Sequence, residues 1–292
     1  MKVYIKKTLS LLLVMGLVAS VAPVYTPTAD AATKKVTLLK GESTSITVYG
    51  SAIKSVKSSK SSVIKAKKAS SYKVTIKAKK KGTSTVTIKA KNGKQLKYKF
   101  KVNKVKLPVK VVDIDVVNTG YSTKTYVTFK ITNKTGVCLQ NADINYVLTD
   151  AAGTVLKSGA ERAYIIPNKK TAYRTVYYNG EVAAAAGTGS LTSTSRTLNY
   201  KYTDITKKIT IKEYSNNNNT IQFTVKNKSS QYSTGYADIV FYDANGKIRD
   251  VEQLSLYLNK KTTETKTVYG PSDAVSYKIL NKRAYYSKFQ SV

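Results

Sequence analysis

The chain has 292 residues and a mass of 32.0 kDa, room for two or three domains that each bury a core. Fifty basic residues face 16 acids, a net charge of +34, and the chain contains no His, no Trp and one Cys, Cys138. That composition excludes an internal disulfide and a Cys-His nucleophile pair, and it leaves stability to packing. Lysine greatly outnumbers arginine. A strongly hydrated ammonium suits diffuse attraction to polyanions, whereas reading phosphates or base edges by shape usually recruits the forked guanidinium.

Residues 1–31 have the pattern of a secretory signal: Lys2, Lys6 and Lys7 at the start, an apolar run from Leu11 to Val18, and Ala29-Asp30-Ala31 as an exit site with cleavage expected after Ala31. The apolar run is too short to span a bilayer and no second one follows, so the mature chain is expected to be exported, with no transmembrane segment. The C-terminus carries no hydrophobic tail or sorting-type motif. Retention at a bacterial surface or cell wall is therefore expected to be non-covalent.

Residues 32–106 hold 22 lysines against the single acid Glu42, a local net charge of +21 over 75 residues. Four alternations predict strands rather than a disordered basic tail: Ile46 and Val48; Val74, Ile76 and Ala78; Val86, Ile88 and Ala90; Leu96, Tyr98, Phe100 and Val102. Asn92-Gly93 between the last two predicts a tight hairpin. The stretches Val36-Thr-Leu38-Leu-Lys-Gly41-Glu42, Ser58-Ser-Lys-Ser-Ser62-Val63-Ile64 and Lys81-Gly82-Thr-Ser-Thr-Val86-Thr-Ile88 resemble the bacterial immunoglobulin-like domain of group 2, with Val56-Lys57 where that family often carries Trp. The resemblance implies a stalk or adhesion role on exported proteins, and no catalytic residues. Alternation places Lys73, Lys77, Lys79, Lys89, Lys91, Lys97, Lys99 and Lys101 outward, a candidate polyanion-binding face. Aligned like charges repel, and a net charge of this size exceeds what solubility asks of a small domain.

Leu107-Pro108 reads as a hinge. Beyond it, Val127-Thr-Phe129-Lys-Ile131-Thr-Asn133-Lys134 is echoed by Ile221-Gln-Phe223-Thr-Val225-Lys-Asn227-Lys228, each predicted as the central strand of its own unit. Further echoes are Ala142-Asp143-Ile144 with Ala237-Asp238-Ile239, Asp150-Ala-Ala-Gly153 with Asp243-Ala-Asn-Gly246, Asn168-Lys-Lys-Thr171 with Asn259-Lys-Lys-Thr262, and Thr175-Val-Tyr177 with Thr267-Val-Tyr269. Their separations of 95, 93, 91 and 92 residues define two repeats, 107–203 and 204–292. Each is expected to hold seven short strands in a β-sandwich, the first with 154–158, 161–166 and 197–202 among its strands and an extra Ala/Gly-rich loop at 181–195. Tyr146-Val-Leu148-Thr-Asp150 and Ile239-Val-Phe241-Tyr-Asp243 resemble the motif of FxLYD-type β-sandwich domains, which implies an interaction module without an active site. The fold class expected is all-β: three tandem immunoglobulin-like sandwiches after a cleaved signal peptide.

Chemical constellations are few. Asp113 and Asp115 share a strand face roughly 7 Å apart, a spacing open to acid catalysis or calcium but read as solvated or salt-bridged surface for want of further ligands. Asp243-Ala-Asn-Gly246 reads as a turn, Cys138 as a buried small hydrophobe, and Asn133-Lys-Thr and Asn227-Lys-Ser as chance matches to a glycosylation acceptor. No metal, cofactor or catalytic residue is assigned. The function expected is a non-enzymatic envelope protein, a binding or spacer module attached electrostatically to anionic cell-wall polymers or acidic glycans, with other surface proteins as further partners and no specific nucleic acid. The alternative is a glycan-binding adhesin using tyrosines such as Tyr177-Tyr178, Tyr200 with Tyr202, and Tyr285-Tyr286, which also stand among ordinary strand residues.

Overall fold

The computed structural model describes residues 33–193, 195–196, 200–217 and 219–289; the expected signal segment lies outside the described residues. The described chain is all-β, with twenty strands and one short 3-10 turn at Thr206–Lys208.

The first module is a two-sheet sandwich. β1 (Lys34–Leu39), β7 (Gln95–Asn103), β6 (Gly82–Ala90) and β3 (Ile53–Ser58) make one sheet in that order; β2 (Ser43–Thr47), β5 (Lys73–Ala78) and β4 (Ile64–Lys68) make the other. Ile46, Val74, Ile76, Val86, Ile88 and Phe100 close the core between them. Asn92-Gly93 turns β6 into β7 with Gly93 at φ +84°, a left-handed conformation that glycine adopts without a Cβ clash. β1, β3 and β4 were not among the expected strands, because each offers this core only one fully buried side chain: Leu38, Ile53 and Ile64 respectively.

The first repeat has one sheet of β12 (Thr171–Asn179), β9 (Thr123–Thr132) and β8 (Val109–Asn118), and another of β11 (Val155–Ile166), β10 (Leu139–Thr149) and β13 (Ala184–Ser190). The second has β15 (Ile209–Asn217), β16 (Thr220–Asn227) and β19 (Thr263–Tyr269) facing β14 (Tyr200–Asp204), β20 (Ser276–Phe289), β17 (Thr234–Tyr242) and β18 (Ile248–Ser255). The echoing stretches are β9 and β16, each the middle strand of its sheet, and Phe129 and Phe223 sit fully buried in the two cores.

The end of the echo has a structural cause. Asn133 is completely buried; its amide donates to Val137 O and Ile166 O at 2.7 Å, and its Oδ1 accepts from Thr135 N and Oγ1. Asn227 repeats the corner, donating to Gln231 O and Asn259 O and accepting from Ser229 N and Oγ. A buried carboxamide must fill its hydrogen bonds, and Asn-x-Ser/Thr does so at both corners.

Four expectations change. The loop expected at 181–195 contains β13, which pairs with β10 from Asp143↔Ser190 to Thr149↔Ala184. Its glycines serve close approach: a Cβ on Gly189 would lie 2.3 Å from Leu107 O, and one on Gly187 would lie 2.7 Å from Val109 Cγ1. Strands expected at 154–158 and 161–166 are one strand, β11, because Gly159 lies beneath the Tyr146 ring and is not a turn. The strand expected at 197–202 to close the first repeat is β14, and it pairs with β20 of the second. Leu107-Pro108 is not a free hinge either: Leu107 is buried in the first repeat's core, where Leu39 of β1 joins it, and Thr132 N donates to Pro108 O.

Candidate functional site

The eight predicted lysines do not share one face. Lys73 and Lys77 lie on β5, with Lys79 just beyond it, on the outer side of the three-stranded sheet. Lys89 on β6 and Lys97, Lys99 and Lys101 on β7 point outward from the four-stranded sheet, with Lys91 following β6. With the core between the sheets, the two groups occupy opposite sides of the module.

The groups differ in density of charge. Register pairs Lys65 with Lys77 and Lys67 with Thr75, so β4 adds two lysines to the β5 face. The exposed Lys65 ammonium is held below the ordinary lysine range chiefly by Lys67 and then by Lys79, with slight desolvation and Lys77 adding to it. No acid lies among these groups; the module's one acid, Glu42, is bound to Arg196 at 2.9 Å. On the opposite face threonines dilute the charge, Thr83, Thr85 and Thr87 standing beside Lys101, Lys99 and Lys97. Lys65 and Lys67 are not among the predicted lysines because β4 is not among the predicted strands, although the run Ile64-Lys-Ala-Lys-Lys68 alternates as a short strand does.

Arginine is used differently from lysine. All five guanidiniums have a carboxylate partner, and four lie at or near the seams between modules. Arg196 joins Glu42 and Thr37 O across the junction of the first module and the first repeat. Between the repeats, Asp238 is completely buried and accepts both Arg283 Nη1 at 2.6 Å and Nη2 at 2.9 Å, while Arg174 Nη1 lies 4.0 Å from it. Arg283 also donates across the seam to Thr171 O and Tyr164 O. Burial lowers the Arg174 pKa, opposed by Asp238. Such planar, bidentate pairing suits a buried contact, where a lysine would leave oxygens unmatched.

Asp113 and Asp115 belong to the same seam. Asp113 accepts Lys247 Nζ at 3.2 Å and Ile248 N at 2.8 Å, and Asp115 meets Arg249, which also binds Asp243 at 2.7 Å and Asp273 at 2.8 Å. They are salt-bridged, each to a partner more than 130 residues away in sequence. Asp243 makes an ordinary turn, its Oδ1 accepting Asn245 N and Lys247 N. Among the described residues no group of three or more His, Cys, Asp or Glu side chains is placed to hold a metal.

The tyrosine pairs separate. Tyr177 is exposed beneath the Lys124 and Lys157 ammoniums whereas Tyr178 packs on the core; Tyr285 is buried and Tyr200 exposed. Cys138 is half-buried, and burial pushes its thiol up to about 12. A cleft of about 770 Å³ lies between the first module and the first repeat, walled by hydroxyls such as Ser43, Thr75 and Ser190 and by the Glu42–Arg196 pair. Burial raises the Glu42 pKa despite Arg196.

No protein-family profile matches this sequence, and no curated protein does. A solved structure described as the crystal structure of a tetra-tandem repeat in the extending region of a large adhesion protein is 13% identical, covering 87% of this chain and 72% of that chain with a TM-score of 0.19. A superposition that loose carries no argument about function. No helix among the described residues is long and apolar enough to cross a membrane.

Proposed function

We propose that this is an exported, non-enzymatic bacterial envelope protein whose first module holds it to anionic wall polymer by charge, the paired repeats acting as a spacer and partner-binding arm. The observation that carries the reading is the acid-free cluster of Lys65, Lys67, Lys77 and Lys79, crowded enough that Lys67 and Lys79, with Lys77, hold the Lys65 ammonium below the ordinary lysine range. An incoming polyanion relieves that repulsion and releases its own counterions, a gain that fades as salt rises. The pattern at residues 1–31 supports export, and the lysine-for-arginine bias supports diffuse attraction over sequence reading.

The test is retention of the whole mature chain on immobilised poly(glycerol phosphate) across a salt series. Lys65→Gln, Lys67→Gln, Lys77→Gln and Lys79→Gln together should weaken binding and flatten its salt dependence more than Lys97→Gln, Lys99→Gln and Lys101→Gln do. Binding that persists at high salt, or that never occurs at low salt, sinks the electrostatic account.

A further inference from the structure

The repeats share a topology but not a surroundings. In the first, the outer face of the β12-β9-β8 sheet is covered: β18 of the second repeat packs against all three strands, and Thr128 on that face is completely buried. In the second, no described element packs on the matching face of β15-β16-β19. Thr263, Thr265, Thr267 and Tyr269 along β19 and Lys212 and Tyr214 along β15 are all exposed.

The chemistry of this open face is unlike the rest of the molecule. Beyond Lys212 and Lys226 at one end, its remaining positions carry hydroxyls and carboxamides: Ser215 beside Gln222, and Gln222 beside Thr267. Two tyrosines flank them, Tyr214 at a bulge in β15, 72% exposed, and Tyr269 at the end of β19, 70% exposed. In a chain of net charge +34 this half of the face is uncharged, so it offers nothing to a polyanion. It presents no aliphatic side chain, so it offers little to lipid or to an apolar protein surface. A second copy of the chain is disfavoured as well. The β18 that covers the first repeat is held by Asp113 and Asp115, and register places Ser215 and Asn217 at those positions in the second.

We propose that the uncharged half of this face, between Tyr214 and Tyr269, binds a neutral polysaccharide. The tyrosine rings stack on the apolar faces of sugar rings, and Gln222, Ser215 and Thr267 exchange hydrogen bonds with hydroxyls. This site is independent of the lysine cluster, which lies in another module.

The experiment is affinity electrophoresis and calorimetry of the whole mature chain with a soluble β-glucan, a mannan and a chitin oligosaccharide. At least one should bind with an affinity insensitive to salt. Tyr214→Ala with Tyr269→Ala should weaken that binding about tenfold or more, with an unchanged unfolding temperature because both rings are exposed. The four-lysine Gln variant should bind the saccharide normally. Gln222→Lys, which leaves both rings in place but charges the face, should also weaken binding. The proposal is overturned if none of the three saccharides binds, if the tyrosine variant binds as well as the parent, if binding falls with salt, or if these substitutions instead abolish self-association of the chain.

Discussion

The two repeats begin from the same strand and the same asparagine corner, yet one turns its middle sheet inward and the other turns it to water. Thr128 and Gln222 occupy equivalent places in the echo; beside them stand Asp113 and Ser215. Six residues after the paired turn aspartates Asp150 and Asp243 come Leu156 and Arg249. The acids at these two strand positions are thus present only in the first repeat, and the arginine at this turn position only in the second. A latch divided in this way closes once between these two repeats and leaves the matching face of the second polar.

The largest expected effect breaks the seam at its centre. Asp238→Ala strands Arg283 and Arg174 without their shared counter-charge, and it should cost about 3–5 kcal/mol in denaturant unfolding. Loss under 1 kcal/mol would show that the seam is wet. Next, Asn133→Ala and Asn227→Ala each empty a four-bond corner and should cost about 1–3 kcal/mol, by similar amounts if the corners are equivalent. A large inequality would show that the buried neighbour, not the corner, sets stability. Asp115→Asn should loosen the seam by a smaller amount, about 1 kcal/mol, and Asn217→Ala, its open-face counterpart, should be neutral within about 0.5 kcal/mol by the same measurement.

The smallest effect concerns Tyr98, whose hydroxyl is buried with no hydrogen-bond partner among the described residues. Tyr98→Phe should be neutral or slightly stabilising, because an unmatched polar atom is removed. Burial raises that phenol to about 12 from 10.0. The folded state therefore keeps its proton while the unfolded chain releases one, so stability is whole below pH 10 and declines from there toward about 12. Tyr98→Phe should decline less over that window in pH-dependent urea unfolding.

Alternation made the middle strands legible, since a strand with one wet face writes its period into the sequence. The Ala/Gly-rich β13 has no such period; its side chains are small because Leu107 and Val109 press against it. β14 follows the first repeat in sequence yet pairs with β20 of the second, because pairing is a property of two strands and the order of one chain segment does not fix its partner. The ion pairs of the seam were out of reach for the same reason, yet arginine scarcity held a usable signal. When lysine serves nearly every exposed position, the few guanidiniums mark where a fixed geometry is needed. Of the candidate face, Lys73, Lys77 and Lys79 were visible and Lys65 and Lys67 were not.

Leu39 lends its side chain to a neighbour: it ends a strand of the first module and fills the hydrophobic interior of the next. Excising the lysine-rich segment at its compositional edge would therefore leave a vacancy in what remains, and lost wall binding could then reflect damage to the survivor as much as removal of charge. Neutralising side chains in place keeps that plug seated, and so separates adhesion from integrity where a deletion cannot.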